Sequence, residues 1–214
     1  MSVRAWRADP YREALLTGQG PLFLRRDDGW LLPLEVERWC AAPDSADVTV
    51  LARCRGPVLD IGCGPGRLVA ALAALGTTAL GMDVNQEAVD RTVREGGAAL
   101  CRSVFDPLPD EGRWGTVLLM DGNIGIGGAP EALLGRVCEL IDPNGTLIVE
   151  TVAQDIDERV EVRFCDGRVT RGTTAFPWAR VGTPALLGYA EATGWIAEDQ
   201  WRAAGRTFLQ LRPR

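Results

Sequence analysis

Through the middle of the chain, short apolar runs end in glycine or an acid and give way to leucines and valines at helical spacing. Val58-Leu59-Asp60-Ile61 follows Gly56-Pro57 and predicts a buried strand. Leu68, Leu72 and Leu75 then recur on one helical face among alanines, and Gly76 closes that helix. Residues 79–82 predict a second strand ending at Asp83, and Asn85 caps a helix with Glu87 in its first turn and Val89 and Val93 on one face. Gly96-Gly97 ends it. Residues 98–101, 117–120 and 146–149 predict three more strands, the last two separated by a helix from Pro130 to Leu140 and a turn over 142–145. Strand and helix in alternation imply an α/β fold with a parallel sheet covered on both faces.

The flanks read differently. Residues 21–24 and 30–34, joined at Asp27-Asp28-Gly29, predict a small hairpin. Residues 159–164 and 168–173, with a turn at Asp166-Gly167, predict another. Phe176-Pro177-Trp178-Ala179-Arg180 reads as an inserted loop over the sheet, a helix runs over 184–193, and strands at 200–203 and 207–211 close the chain. The 214 residues suit a single domain: a cap or lid over 1–55, a cofactor-binding core over 56–151, and a hairpin, loop and closing strands over 152–214.

Ligands of parallel sheets sit beyond the carboxyl ends of the strands. Asp60, Asp83, Asp121 and Glu150 each end a predicted strand, which places four acids on one rim. The glycine loop Gly62-Cys63-Gly64-Pro65-Gly66 lies between the first strand and its helix, where bare backbone lets a ligand approach closely. Its spacing is G-x-G-x-G, not the G-x-G-x-x-G of dinucleotide sites. Asp60 ahead of it would repel a pyrophosphate and suits the ammonium of an amino-acid moiety.

Composition narrows the chemistry. The sequence holds no histidine and no lysine, which removes imidazole bases, histidine ligands and Schiff-base nucleophiles. The net charge of −6 argues against a nucleic-acid partner. Six cysteines without a C-x-x-C pair read as buried reduced thiols, and no metal site is expected. No apolar run spans a bilayer and the first ten residues lack a signal-peptide core, so a cytoplasmic protein without a membrane partner is expected.

Four segments, in order, carry a resemblance. Asp60-Ile61-Gly62-Cys63-Gly64-Pro65-Gly66, Gly81-Met82-Asp83-Val84-Asn85, Ser103-Val104-Phe105-Asp106-Pro107-Leu108-Pro109 and Leu118-Leu119-Met120-Asp121-Gly122-Asn123 are similar to the four motifs of class I S-adenosylmethionine-dependent methyltransferases. The likeness covers residues 58–151, and its narrower form is to small members of actinobacterial type. It implies a Rossmann-like, doubly wound, mostly parallel seven-strand sheet with the last strand antiparallel. It also implies S-adenosylmethionine as donor, S-adenosylhomocysteine as product and a small-molecule acceptor, in a monomer or homodimer.

By that resemblance Asp60, Gly62, Cys63, Gly64 and Gly66 hold the methionine part, and Asp83 accepts both ribose hydroxyls. Val84 packs on adenine, Ser103 and the Val104 backbone read its edge, and Met120 lies where methyl and acceptor meet. Ser103 departs from the motif, which often has an acid there. Asp121 is the leading candidate to orient or deprotonate the acceptor, with Asn123 as a second catalytic polar group. Glu150, Trp178 and Arg180 are candidate acceptor contacts, and Tyr11 belongs to the lid. Two other readings stay open: an NAD(P)-dependent oxidoreductase, and a protein that binds S-adenosylmethionine without catalysis.

Overall fold

The computed structural model describes residues 10–167 and 174–214. Two sheets organise it. The larger has seven strands: β3 (Val58–Ile61), β4 (Ala79–Asp83), β5 (Ala98–Cys101), β6 (Trp114–Leu119), β7 (Ile141–Thr151), β10 (Trp195–Ala203) and β11 (Arg206–Pro213). Their order is β10-β11-β7-β6-β3-β4-β5, and only β11 runs antiparallel to its neighbours. This is the doubly wound, mostly parallel sheet that the central rhythm implied, with the last strand reversed.

Side chains of a strand alternate between faces, so a sheet buried on both sides reads as an unbroken apolar run. Leu59, Val117, Leu147, Val149 and Leu209 join one core with Leu133 and Val137 of α6 (Pro130–Leu140) and Leu186 of α7 (Thr183–Ala192). Their strand neighbours Val58, Leu118, Ile148 and Phe208 join a second core with Val50 of α3 (Ser45–Leu51) and Leu72 of α4 (Arg67–Ala74).

Helix α4 starts at Gly66, whose φ of +85° lies in the left-handed region. A Cβ there would collide with the side chain of Thr92 on α5 (Gln86–Arg94). Thr92 cannot turn away freely, because its hydroxyl reaches the Gly64 and Ala88 carbonyl oxygens at 3.1 and 3.0 Å. Gly66 therefore serves helix packing rather than ligand approach. Gly66→Ala is expected to cost about 2–4 kcal/mol, the left-handed backbone and overpacking together. Urea unfolding checks this, and adding Thr92→Ala returns the packing share alone.

The smaller sheet has the order β2-β1-β8-β9. Strands β1 (Phe23–Arg25) and β2 (Leu31–Pro33) form the expected first hairpin, and β1 also pairs with β8 (Asp157–Cys165), Phe23 facing Cys165. The partner of β8 on its other side is β9 (Phe176–Val181). The expected loop at 176–180 is thus a strand, because its branched and aromatic residues find an edge to pair with. The hairpin arm expected at 168–173 lies outside the described residues. Three helices, α1 (Pro10–Thr17), α2 (Val36–Trp39) and α3, occupy a region for which the pattern suggested only a cap with a hairpin.

Among the described residues no disulfide joins the six cysteines; Cys63 and Cys165 are buried and the other four are half-buried, less enclosed than expected. No described helix is long and apolar enough to cross a membrane.

Candidate active site

The carboxyl edge of the large sheet carries two adjoining polar regions. The first surrounds the glycine loop. Gly62 turns the chain out of β3 at φ +73°, and a Cβ on it would lie 2.5 Å from Asn123 Nδ2. That amide nitrogen donates to the carbonyls of Ile61 and Gly62, both at 2.9 Å. Asn123 is thus a latch on the loop, its Nδ2 occupied in holding backbone. Gly64 is buried, and a Cβ there would make only an ordinary contact with the Tyr11 hydroxyl, at 3.6 Å.

Asp83 ends β4 beside this loop. Its carboxylate accepts from Asn85 N at 2.8 Å and Gly64 N at 3.1 Å. Burial pushes its pKa up to about 6, although those amides, the Val84 amide and the Tyr11 hydroxyl pull the other way. Asp60 is buried further along: burial raises it to about 7, with Arg67 opposing and the negative charges of Asp121, Asp83 and Asp47 adding to the rise. Two buried acids with raised pKa values thus lie side by side at the glycine loop.

Other motif residues are placed less directly. The Cys63 side chain is buried against Gly81 and Thr92, leaving only its backbone to the loop. Val84 is half-buried beside Asp83. Ser103 Oγ accepts from Phe105 N at 3.3 Å, and the Val104 carbonyl is taken by Arg136 Nε at 2.9 Å. The Met120 side chain belongs to the apolar core with Leu68 and Phe208, so it meets no ligand. Tyr11 stands at the loop, its ring stacked on Phe164 with centroids 4.8 Å apart. Its ring also meets Trp39, a wall of the neighbouring cleft, edge-on with centroids 6.4 Å apart, so Tyr11 stands between Asp83 and that cleft.

That cleft, about 340 Å3, is the second region. Its walls are the small sheet, α2 and the ends of β6, β7 and β9, and Glu35, Arg38, Trp39, Asp121, Glu150, Trp178, Arg180 and Arg206 line it. The glycines at 125, 127 and 128 give room to neighbouring protein. A Cβ on them would strike the Ala179 carbonyl, the Phe105 ring and Pro177 respectively. Only Gly122 of that run faces open space.

Asp121 sits at the floor with φ +56°, a left-handed backbone that aspartate tolerates at modest cost. Its amide donates to Glu150 Oε2 at 2.8 Å. Its two carboxylate oxygens receive Arg38 Nη2 at 2.7 Å, Arg206 Nη2 at 3.5 Å and Arg67 Nη1 at 2.8 Å. Burial alone would raise its pKa, but Arg67, Arg38 and Arg206 outweigh it and hold the acid below the usual carboxylate range. An ionised group so occupied is a poor proton acceptor, which corrects the expectation of a base.

The same arginines extend the cluster. Arg67 and Arg206 both clamp Asp47, which is fully buried on α3, and Arg206 also grips Glu150 at 2.7 and 2.8 Å. Among the described residues, every carboxylate lining the cleft is ion-paired: Glu35 with Arg38, Asp121 with three arginines, and Glu150 with Arg206. Arg38, Arg67, Arg206 and Asp47 were not singled out in the sequence. The one local signal was Asp44 with Asp47, whose side chains make a capping box at the start of α3.

The sequence matches a family described as a methyltransferase domain over residues 45–180. That is well over half of the chain, and the chain belongs to this family of methyltransferases. No curated protein sequence matches it. Among solved structures, it is similar to a SAM-dependent methyltransferase from Bacteroides fragilis in complex with S-adenosyl-L-homocysteine. The TM-score there is 0.77 at 17% identity, with 95% of this chain and 92% of that one covered. A 1,6-didemethyltoxoflavin-N1-methyltransferase from Burkholderia thailandensis superposes with a TM-score of 0.59 at 18% identity, over 79% of this chain and 77% of that one. The CcbJ methyltransferase of Streptomyces caelestis gives 0.60 at 16%, over 82% and 92%. At these identities the likeness is one of fold.

Proposed function

We propose that this methyltransferase takes its methyl group from S-adenosylmethionine and delivers it to a small molecule held in the cleft. The observation that carries the reading is the buried carboxylate of Asp83 at the tip of β4, held to the glycine loop by the Gly64 amide. A carboxylate there is suited to accept two ribose hydroxyls, and Asp60 offers negative charge to the amino-acid end. Val84 gives adenine an apolar face, and Tyr11 covers Asp83. Several structural neighbours carry S-adenosylmethionine or S-adenosylhomocysteine, which supports the same donor.

The donor supplies an activated methyl group whose leaving thioether is neutral. The protein's work is therefore alignment and exclusion of water. Asn123 fixes the loop, Asp121 and its arginines fix the floor, and β9 walls the acceptor side. With all three lining carboxylates ion-paired, the cleft suits an acceptor atom that carries its lone pair already. The volume of about 340 Å3 fits a small molecule.

Calorimetric titration with S-adenosylmethionine, S-adenosylhomocysteine and NADH tests the donor. Binding of the first two but not of NADH is expected; binding of NADH alone overturns the reading. Because Asp60 titrates at about 7 without ligand, a cationic ligand must displace its proton below that pH. The affinity for S-adenosylmethionine is expected to fall on going from about pH 8 to about pH 6, by up to about tenfold per unit below neutrality. Asp60→Asn should flatten that slope.

A further inference from the structure

Among the described residues, three buried side-chain nitrogen or oxygen atoms have no hydrogen-bond partner: Arg38 Nη1, Trp39 Nε1 and Arg180 Nε. All three belong to residues that line the one cleft. All three are donors, and among the described residues no buried side-chain acceptor is left over to meet them. An unmet buried donor costs free energy until a bound water or a ligand satisfies it, and a ligand that displaces such water must itself accept hydrogen bonds.

The arginines are held for the task. Arg180 gives Nη1 to Glu158 at 2.9 Å and lies over the Trp30 ring, 4.8 Å from its centroid, so its Nε edge is fixed with nothing to bind. Arg38 gives Nε to Glu35 and Nη2 to Asp121, leaving Nη1. Each guanidinium thus keeps one nitrogen donor unpartnered, and a charged oxygen is the acceptor such a donor binds most strongly. Charge narrows the choice further. Glu35, Asp121 and Glu150 balance Arg38, Arg180 and Arg206 around the cleft, so a dianionic phosphate would meet nearby acids without a compensating excess of arginine. An ammonium would find every lining carboxylate already taken.

We infer that the acceptor carries a carboxylate, anchored by Arg180 and Arg38 with Trp39 Nε1 as a further donor, and that this group sets substrate choice. The inference rests on the methyltransferase reading and names the substrate class of the same site. The carboxylate is an anchor, with the methylated atom elsewhere on the molecule.

The test uses full-length protein saturated with S-adenosylhomocysteine and a fragment library in which each scaffold occurs as carboxylate, carboxamide, phosphate monoester and primary amine. Ligand-observed magnetic resonance reads binding to wild type, Arg180→Gln, Arg180→Lys and Arg38→Gln. Carboxylates are expected to dominate, binding about ten- to a hundredfold tighter than their carboxamides, the margin of a charge-assisted pair. Arg180→Gln should erase the margin, and Arg180→Lys should lose most of it, since a lysine offers charge without the N–H at the Nε position. Calorimetry with S-adenosylhomocysteine and a melting curve show that each variant is folded; Arg38→Gln is read only through Arg180 if it unfolds. Equal binding of carboxamides, a preference for amines or phosphates, an unchanged margin in Arg180→Gln, or no carboxylate bound by protein that holds S-adenosylhomocysteine each overturns the inference. Failure of wild type to bind S-adenosylhomocysteine overturns the donor reading instead.

Discussion

Replacing Asp83 by alanine is expected to raise the dissociation constant for S-adenosylmethionine by about a hundredfold or more while leaving the protein folded. A hydrogen bond to a charged group is worth about 1.5–3 kcal/mol, and the carboxylate is placed to accept two from one ribose, so about 3–6 kcal/mol of binding is at stake. Folding should survive because Asp83 is a buried acid lifted to about 6: its ionised form is already disfavoured by burial, and alanine removes that burden. The amides of Gly64 and Asn85 lose an acceptor, which sets a modest opposing cost. Calorimetry beside a melting curve separates the two effects. A variant that binds within a few-fold of wild type would remove Asp83 from the ribose site.

The second large effect concerns stability. Arg206 follows the Ala204-Gly205 turn and brings four acids to one guanidinium: Asp44 at 3.4 Å, Asp47 at 2.8 Å, Glu150 at 2.7 Å and Asp121 at 3.5 Å. Arg206→Ala strands Glu150 and leaves Asp47 and Asp121 with less compensation for a buried charge. The expected loss is about 3–5 kcal/mol, the range for breaking a buried pair by removing one partner. Urea unfolding measures it, and a double-mutant cycle with Asp47→Ala should show strong coupling. A loss under about 1 kcal/mol would mean that water, not the arginine, satisfies these acids. Because the cluster floors the cleft, a folded Arg206→Ala protein should also lose transfer activity more than donor binding.

The centre of the fold was legible because its signals are local. Strands buried on both faces write continuous apolar runs, and Asn85 and Gly76 mark helix ends within a few residues of the helices they bound. Strand β5 falls on the residues read for it, and Asp83 with Gly64 stands where the loop spacing placed it. Of the four acids on the rim, however, only Asp60 and Asp83 are free of an ion pair among the described residues; Asp121 and Glu150 are consumed by arginines. That difference depends on partners at positions 38, 67 and 206, which only the folded chain brings together. The latch made by Asn123 was hidden for a similar reason: an amide in a binding motif gives no sign of the carbonyls of Ile61 and Gly62 beside it. The strand at β9 was hidden because its pairing edge, β8, has its own other partner near the amino terminus.

That last arrangement bears on how the molecule is made. Strand β1 is bound on one edge by β2 and on the other by β8, with Leu24 opposite Phe164. A chain released from its amino end leaves the first hairpin with an open edge until almost four-fifths of the sequence has followed. Its closing contact spans about two thirds of the chain, and such pairings are slow to form. The nucleotide-facing rim around Asp60 and Asp83 is complete in sequence long before then. The cleft walled by the small sheet is therefore completed late in the synthesis of each chain.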